Sequence, residues 1–335
     1  MNNPPLNSDD FQQRLIAWQK QHGRHDLPWQ QDPSPYRVLV SEIMLQQTQV
    51  KTVIPYFERW MQSFPNVQIL AAATEDQVMS HWQGLGYYSR ARNLRKAAIY
   101  IQSECQGKFP EDVNTLQQIP GVGRYTAGAI ASFAYNRYGP IVDGNVKRLF
   151  CRLFGIEGVP GTSKVDRQLW QLAETYTPQQ HNRAFAQGLL DMGATHCKPK
   201  KPLCEDCAFI DCCAAFLSQR VDQLPTAKPK KVIPTKPGHF LWVEEQGKIL
   251  LERRGEGGIW GALWCLPQVH LDPVLIGAEL KGNFKHTFTH YKLEAQVWSV
   301  DQINEPHLEQ HWVSLSELEA RGLPTPIKKF ILKNM

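Results

Sequence analysis

Leu116-Gln117-Gln118-Ile119-Pro120-Gly121-Val122-Gly123-Arg124-Tyr125-Thr126-Ala127-Gly128-Ala129-Ile130 gives the strongest local instruction in this chain. A helical stretch runs into Pro-Gly-Val-Gly, and a helix of small residues leaves it. Glycine accepts positive φ and lets another group approach the backbone closely. The free N–H groups at the start of the new helix suit an anion. This is the helix–hairpin–helix pattern, which holds a nucleic-acid phosphate without reading bases. Standing alone, the same letters also describe a plain αα-corner with glycines for tight packing.

The second strong signal is Cys197-x6-Cys204-x2-Cys207-x5-Cys213, four thiols within 17 residues. Thiolates bind Zn²⁺ or iron–sulfur clusters. A structural zinc site more often has two short Cys pairs, whereas one short pair flanked by longer arms fits a single [4Fe–4S] cluster better. Disulfides fit less well. Cys212 adjoins Cys213, so spacing leaves the fourth ligand open between them. The basic loop of Lys198, Lys200 and Lys201 sits between the first two ligands. Such charge runs are usually solvated, but a loop pinned by a cofactor favours a phosphate-contacting role for Lys198.

Around these motifs the chain changes character at Pro225–Pro237, where four prolines and four lysines in thirteen residues read as an extended basic linker. Before it, Val38–Phe57, Ser89–Ser103, Thr126–Tyr135 and Lys164–Thr175 carry apolar residues at helical spacing. After it, His239–Val243, Lys248–Glu252, Lys292–Val300 and His311–Val313 have strand content. An all-α part followed by a smaller α+β part is expected. The 335 residues suggest two or three domains, and 42% hydrophobic with 21% charged residues is ordinary for a soluble protein. The polar start MNNPPLNSDD is unlike a signal peptide, and no apolar run is long enough to span a bilayer, so a cytoplasmic protein is expected. A net charge of +5 permits an anionic partner without demonstrating one.

Two carboxylates stand out. Asp143, in Ile141-Val142-Asp143-Gly144-Asn145-Val146, precedes an expected helix opening at Gly144. It reads both as an N-cap and as a carboxylate held ionised and aimed at developing positive charge. Glu42 lies in the mostly apolar Val38–Leu45. It is either on an exposed face or buried with a raised pKa suited to a general acid. The segment alone favours the exposed face. The following Gln46-Gln47-Thr48-Gln49 offers amides suited to base edges, as do many surface helices.

Taken together, Leu27-Pro28-Trp29, Ser41–Val50, Gly84-Leu85-Gly86-Tyr87-Tyr88, the hairpin, Val142–Val146 and the four cysteines resemble the endonuclease III superfamily of DNA glycosylases, and within it the MutY-type adenine glycosylases. The match runs over nearly the whole chain. The implied fold is mainly α: a two-lobed helix–hairpin–helix glycosylase with a [4Fe–4S] loop and a C-terminal α+β Nudix-like domain. The implied domains are 28–136 (six helices with the hairpin), 1–27 with 137–217 (cluster domain), 218–236 (linker) and 237–335 (lesion recognition). The resemblance implies Cys197, Cys204, Cys207 and Cys213 as cluster ligands. It implies Glu42 as the acid protonating a flipped adenine and Asp143 as the group stabilising the oxocarbenium-like sugar. Tyr125 and Asn145 would line the pocket beside them. Gln47 and Tyr87 would wedge into the duplex, and Gly121 and Gly123 would hold its backbone. Bifunctional relatives carry lysine at the Tyr125 position. A phenol forms no Schiff base, so excision without efficient strand cleavage is expected.

Beyond the linker, Gly257-Gly258-Ile259-Trp260-Gly261 and Leu266-Pro267 look like the opening of a Nudix domain. Between Gly261 and Phe284 the only carboxylates are Asp272 and Glu279. The acidic cluster that holds Mg²⁺ on a diphosphate is therefore missing. Phe288-Thr289-His290 stands for the family's Phe-Ser-His element and implies contact with 8-oxoguanine. The expected partner is duplex DNA with adenine opposite 8-oxoguanine or guanine, bound by a monomer at the nucleoid.

Overall fold

The computed structural model describes residues 6–229, 232–269, 278–303 and 308–335; Lys230 and Lys231 of the expected linker, and Asp272, lie outside them. The helices are α1 (Ser8–His22), α2 (Pro35–Leu45), α3 (Val50–Ser63), α4 (Val67–Ala72), α5 (Glu75–Trp82), α6 (Ser89–Glu104), α7 (Val113–Leu116), α8 (Arg124–Ala129), α9 (Gly144–Leu153), α10 (Ser163–Tyr176), α11 (Asn182–Asp191), α12 (Ala214–Leu217) and α13 (Thr325–Asn334). Turns of π-helix, Ile130–Ala134 and Met192–His196, extend α8 and α11. Among the described residues no helix is long and apolar enough to cross a membrane.

The chain forms two compact units. The first comprises Met1–Met61, Asn66–Gln68 and Lys96–Pro229. Its helices begin where local chemistry tells them to. Asn7 accepts the Asp9 amide at 2.8 Å to start α1, and Ser34 accepts that of Arg37 at 3.3 Å to start α2. Phe11 and Leu15, one turn apart on α1, are fully buried. Rings surround Phe11, with centroids at 5.1 Å for Phe209, 5.2 Å for Tyr176 and 5.7 Å for Phe185. Phe209 belongs to the cysteine loop, so the loop is anchored in the core by an aromatic side chain.

The second unit comprises Gln62–Pro65, Ile69–Arg95 and Lys230–Met335. It holds strands β1 (Thr235–Trp242), β2 (Glu244–Glu245), β3 (Lys248–Arg253), β4 (Trp264–Cys265), β5 (Gln268–Val269), β6 (Glu279–Thr287), β7 (Lys292–Ser299) and β8 (Gln310–Ser314). One sheet runs β5-β1-β7-β6, with β1 and β7 parallel; in the other, β3 pairs with β2, β4 and β8. Trp242, Ile249, Leu251, Trp264, Val297 and Ile327 are buried in a common core.

Two expectations change. The extended linker does not persist to Pro237, because β1 begins at Thr235, in register with Lys292. Pro237 fits there because β5 pairs only with His239 and Phe240, leaving its missing N–H without a strand to serve. The helical run Val38–Phe57 is two helices, broken at Gln46–Gln49, with Gln47 in the left-handed region at φ 56°.

Candidate active site

Glu42 sits on α2, where Tyr36 and every residue from Val38 to Met44 is buried. It is 5% exposed, so the exposed-face reading is corrected. The helix packs against α8 and the Ile130–Ala134 turn, and a helix buried on all sides loses the polar stripe that would betray its orientation. The Tyr125 hydroxyl, from the second residue of α8, donates to Glu42 Oε2 at 2.6 Å. Burial pushes the Glu42 carboxyl up to about 7; the Tyr125 hydrogen bond pulls it down and the charge of Asp143 pushes it up. Burial and the neighbouring carboxylates hold the Tyr125 phenol well above its usual range.

The Asp143 side chain caps α9, taking the Val146 amide on Oδ1 at 2.7 Å and the Asn145 amide on Oδ2 at 2.9 Å. Both readings of this residue therefore meet at one geometry. Burial raises its pKa, opposed by the Val146 amide, Asn145 and the charge of Arg148. The Asp143 carboxylate thus accepts from the Val146 amide and the Asn145 side chain, and the described partner of the Glu42 carboxyl is the Tyr125 hydroxyl. Arg148 donates to Asn145 Oδ1 at 2.9 Å, to the Gly193 carbonyl at 2.6 Å and to the Cys197 carbonyl at 2.9 Å. Position 193 must be glycine, since a Cβ there would lie 2.7 Å from that of Asn145.

Of Glu42, Tyr125, Asp143 and Asn145, Glu42 alone lines a cavity of about 380 Å³, a size suited to a small organic group. Arg24, Trp29, Gln30 and Gln187 share the wall. The sequence reading gave them no role, although Trp29 lies in the quoted Leu27-Pro28-Trp29. Asp191, fully buried, takes Arg24 Nε at 2.7 Å and Gln187 Nε2 at 3.1 Å and holds both side chains in place.

The hairpin forms as expected. Asp112 caps α7 through the Thr115 amide at 2.9 Å, Gly121 takes φ 79°, and Gly123 is the N-cap of α8. A Cβ at Gly123 would meet nothing within 4 Å, so the glycine faces open space.

Cys197, Cys204, Cys207 and Cys213 line one small cavity with Leu149, Leu153 and Phe209. Cys212 is absent from that wall, and its Sγ lies 3.6 Å from the Phe209 carbonyl oxygen. Among the described residues no three His, Cys, Asp or Glu side chains form a site for a single metal ion. Arg152, 3% exposed, donates to the Lys198 carbonyl at 2.7 Å and to the Leu224 carbonyl at 2.8 Å, with Nη1 3.4 Å from Cys197 Sγ. Lys198 is partly buried; Lys200 and Lys201 are exposed.

In the second unit, the Phe288 amide donates to the Tyr291 carbonyl at 2.9 Å, leaving Thr289 and His290 as the exposed tip of a two-residue hairpin. Phe288 packs inward, 4.5 Å from His286 and 5.3 Å from Trp260 between ring centroids. Phe288, Thr289 and His290 line a cavity of about 610 Å³ whose other wall includes Tyr87, Tyr88 and Arg92. Tyr87 is 44% exposed and, like Gln47, adopts a left-handed backbone, with φ 48°. Non-glycine residues rarely do so, and such strain gathers at functional positions.

Residues 40–175 match the HhH-GPD superfamily of base excision DNA repair proteins, and residues 238–333 match the NUDIX domain. The adenine DNA glycosylase of Buchnera aphidicola subsp. Acyrthosiphon pisum (strain APS) is 37% identical over 340 residues, covering 97% of each chain. That of Homo sapiens is 33% identical over 400 residues, covering 95% of this chain and 73% of its own. Among solved structures, a thermostable thymine-DNA glycosylase superposes with a TM-score of 0.58 at 27% identity, covering 63% of this chain and 97% of that one. A non-covalent endonuclease III–DNA complex gives 0.54 at 21% identity, covering 64% and 98%, a likeness of fold. With relatives 33–37% identical over 95% or more of its length, and family matches in both the helical part and the C-terminal domain, this chain belongs to the adenine DNA glycosylases of the HhH-GPD superfamily.

Proposed function

We propose that the chain excises adenine from duplex DNA in base excision repair, with Glu42 as acid and Asp143 as the counter-charge to the sugar. The observation that carries this is the Tyr125–Glu42 contact at 2.6 Å, joined to a Glu42 carboxyl poised at about 7. The target base leaves the stack and enters the cavity beside Glu42. Glu42 gives its proton to a ring nitrogen of adenine as the C1′–N bond breaks, and the bonding pair leaves with the base. The ionised Asp143, fixed by the Val146 and Asn145 donors, faces the positive charge on the sugar. A water then bonds to C1′ and its proton returns to Glu42. Tyr125 orients Glu42 and offers no amine, so the product is an abasic site rather than a broken strand.

The remaining assignments follow the same reading. Gly121, Gly123 and Lys198 contact the DNA backbone, and Gln47 and Tyr87 enter the duplex. Phe288, Thr289 and His290 meet an 8-oxoguanine opposite the adenine, with guanine as the weaker partner. Cys197, Cys204, Cys207 and Cys213 hold a [4Fe–4S] cluster. The four line one shared cavity, and one short Cys pair flanked by longer arms suits a cluster better than a single ion. When bound, the cluster supplies rigid crosslinking of the loop. Along the sequence the chain reads as 28–136, 1–27 with 137–217, 218–236 and 237–335, segments that act together as a monomer at the nucleoid.

Single-turnover excision on a duplex with adenine opposite 8-oxoguanine tests the reading. Cleavage seen only after alkali supports it. Strand breaks without alkali refute the monofunctional assignment, and no base release refutes the activity.

A further inference from the structure

The loop Gly84-Leu85-Gly86-Tyr87 carries three left-handed residues within four, Gly84 at φ 99°, Gly86 at 72° and Tyr87 at 48°. The two glycines take that conformation freely, but Tyr87 does not, and it relaxes unless its surroundings over-determine it. Arg90, the second residue of α6, is 6% exposed and reaches back beneath the loop. Its Nη2 donates to the Leu85 carbonyl at 3.2 Å and to the Gly86 carbonyl at 3.1 Å. The guanidinium carbon stands 5.4 Å from the Tyr87 ring centroid and 5.2 Å from that of Trp82. Trp82 Nε1 also donates to the Gly86 carbonyl, at 3.0 Å. The charged group thus lies between two rings and ties down two successive carbonyls, while the phenol it supports stays outside.

We infer that Arg90 is a positioning residue, a buried brace that holds Tyr87 in the strained conformation from which it enters the duplex. The inference rests on the wedge reading of Tyr87. Buried as it is, Arg90 contributes no phosphate contact of its own, which separates it from an ordinary DNA-binding arginine. Lysine is a poor substitute, since an ammonium lacks the planar face that lies against the Trp82 and Tyr87 rings while Nη2 holds the two carbonyls.

The test is a double-mutant cycle of Arg90→Met and Tyr87→Ala. Binding is measured by titration over a range of salt, on a duplex whose target adenosine has a non-cleavable carbocyclic sugar. A fluorescent 2-aminopurine beside the target reports unstacking. Arg90→Met is expected to weaken binding about tenfold and to lose the unstacking signal. The salt slope stays unchanged, and adding Arg90→Met to Tyr87→Ala causes no further loss. A salt slope reduced by about 1 would mean a direct phosphate contact and overturn the brace. So would fully additive effects, or wild-type binding by Arg90→Met. Wild-type binding by Tyr87→Ala would remove the wedge reading and the brace with it, whereas a weakened Tyr87→Ala beside an additive Arg90 effect removes the brace alone. Should Arg90→Met fail to fold, Arg90→Lys carries the same cycle.

Discussion

Replacing Glu42 by glutamine should leave the protein inactive and, at alkaline pH, more stable than the wild type. The buried carboxyl is raised from 4.5 to about 7 by desolvation above all. An acid raised on folding contributes stability that is complete below its unfolded pKa and is lost as pH climbs through the folded one. At ~1.4 kcal/mol per pH unit, that rise amounts to about 3 kcal/mol of destabilisation once Glu42 is ionised. Glutamine is close to the same shape, keeps an oxygen for the Tyr125 hydroxyl and never ionises. The stability gap between Glu42→Gln and wild type should therefore widen by about 2–3 kcal/mol between about pH 5 and about pH 8.5. For a unit of this size that is roughly 5–10 °C in melting temperature. Thermal melts of both proteins across that range, with excision measured on the same samples, make the test. A gap that stays constant with pH would refute the claim that burial holds the Glu42 proton. Retained excision would refute its role as acid.

Further outcomes follow from the same geometry. Wild-type single-turnover excision should fall about tenfold per pH unit above pH ~7. Tyr125→Phe should move that limb upward by about one pH unit, because the lost hydrogen bond favours the ionised carboxylate; an unmoved limb would count against the contact. Tyr125→Lys places an amine beside the sugar, and borohydride should then trap a covalent DNA adduct that is absent from the wild type. Cys213→Ser should lose iron and visible absorbance, whereas Cys212→Ser should keep both; the reverse pattern would exchange the fourth ligand. Thr289→Ala should narrow the rate difference between adenine opposite 8-oxoguanine and adenine opposite guanine, with an unchanged ratio refuting a reading role for the hairpin tip.

The parts legible in the sequence were those written in local chemistry. Pro120 and Gly121 announce the hairpin because they restrict or free their own backbone, and the Asp143 cap is decided by its next three residues. The cysteine spacing likewise needs no knowledge of the fold. Glu42 is the opposite case, since its burial is set by α8 and the Ile130–Ala134 turn, which arrive from almost ninety residues downstream. No periodicity within α2 reports them. The wall residues Arg24 and Gln187 are equally hidden, because what selects them is a shared partner, Asp191, rather than any pattern along the chain. The strained backbones of Gln47 and Tyr87 also escape sequence rules, which reserve that conformation for glycine and asparagine.

The second unit is assembled from pieces far apart in the chain. Trp264 Nε1 donates to Asp76 Oδ1 at 3.3 Å, Arg253 pairs with Glu75 at 3.3 Å, and the Tyr88 hydroxyl donates to the Leu323 carbonyl at 3.2 Å. A Cβ on Gly322 would collide with that of Met79 at 2.6 Å. Cutting the chain at its lysine–proline stretch would therefore not release a self-contained module. It would strip the cover from Met79 and leave the acidic face of α5 without its basic partners. Grafting such a C-terminal domain onto a shorter glycosylase would demand that the recipient's own Ile69–Arg95 counterpart be rewritten alongside it.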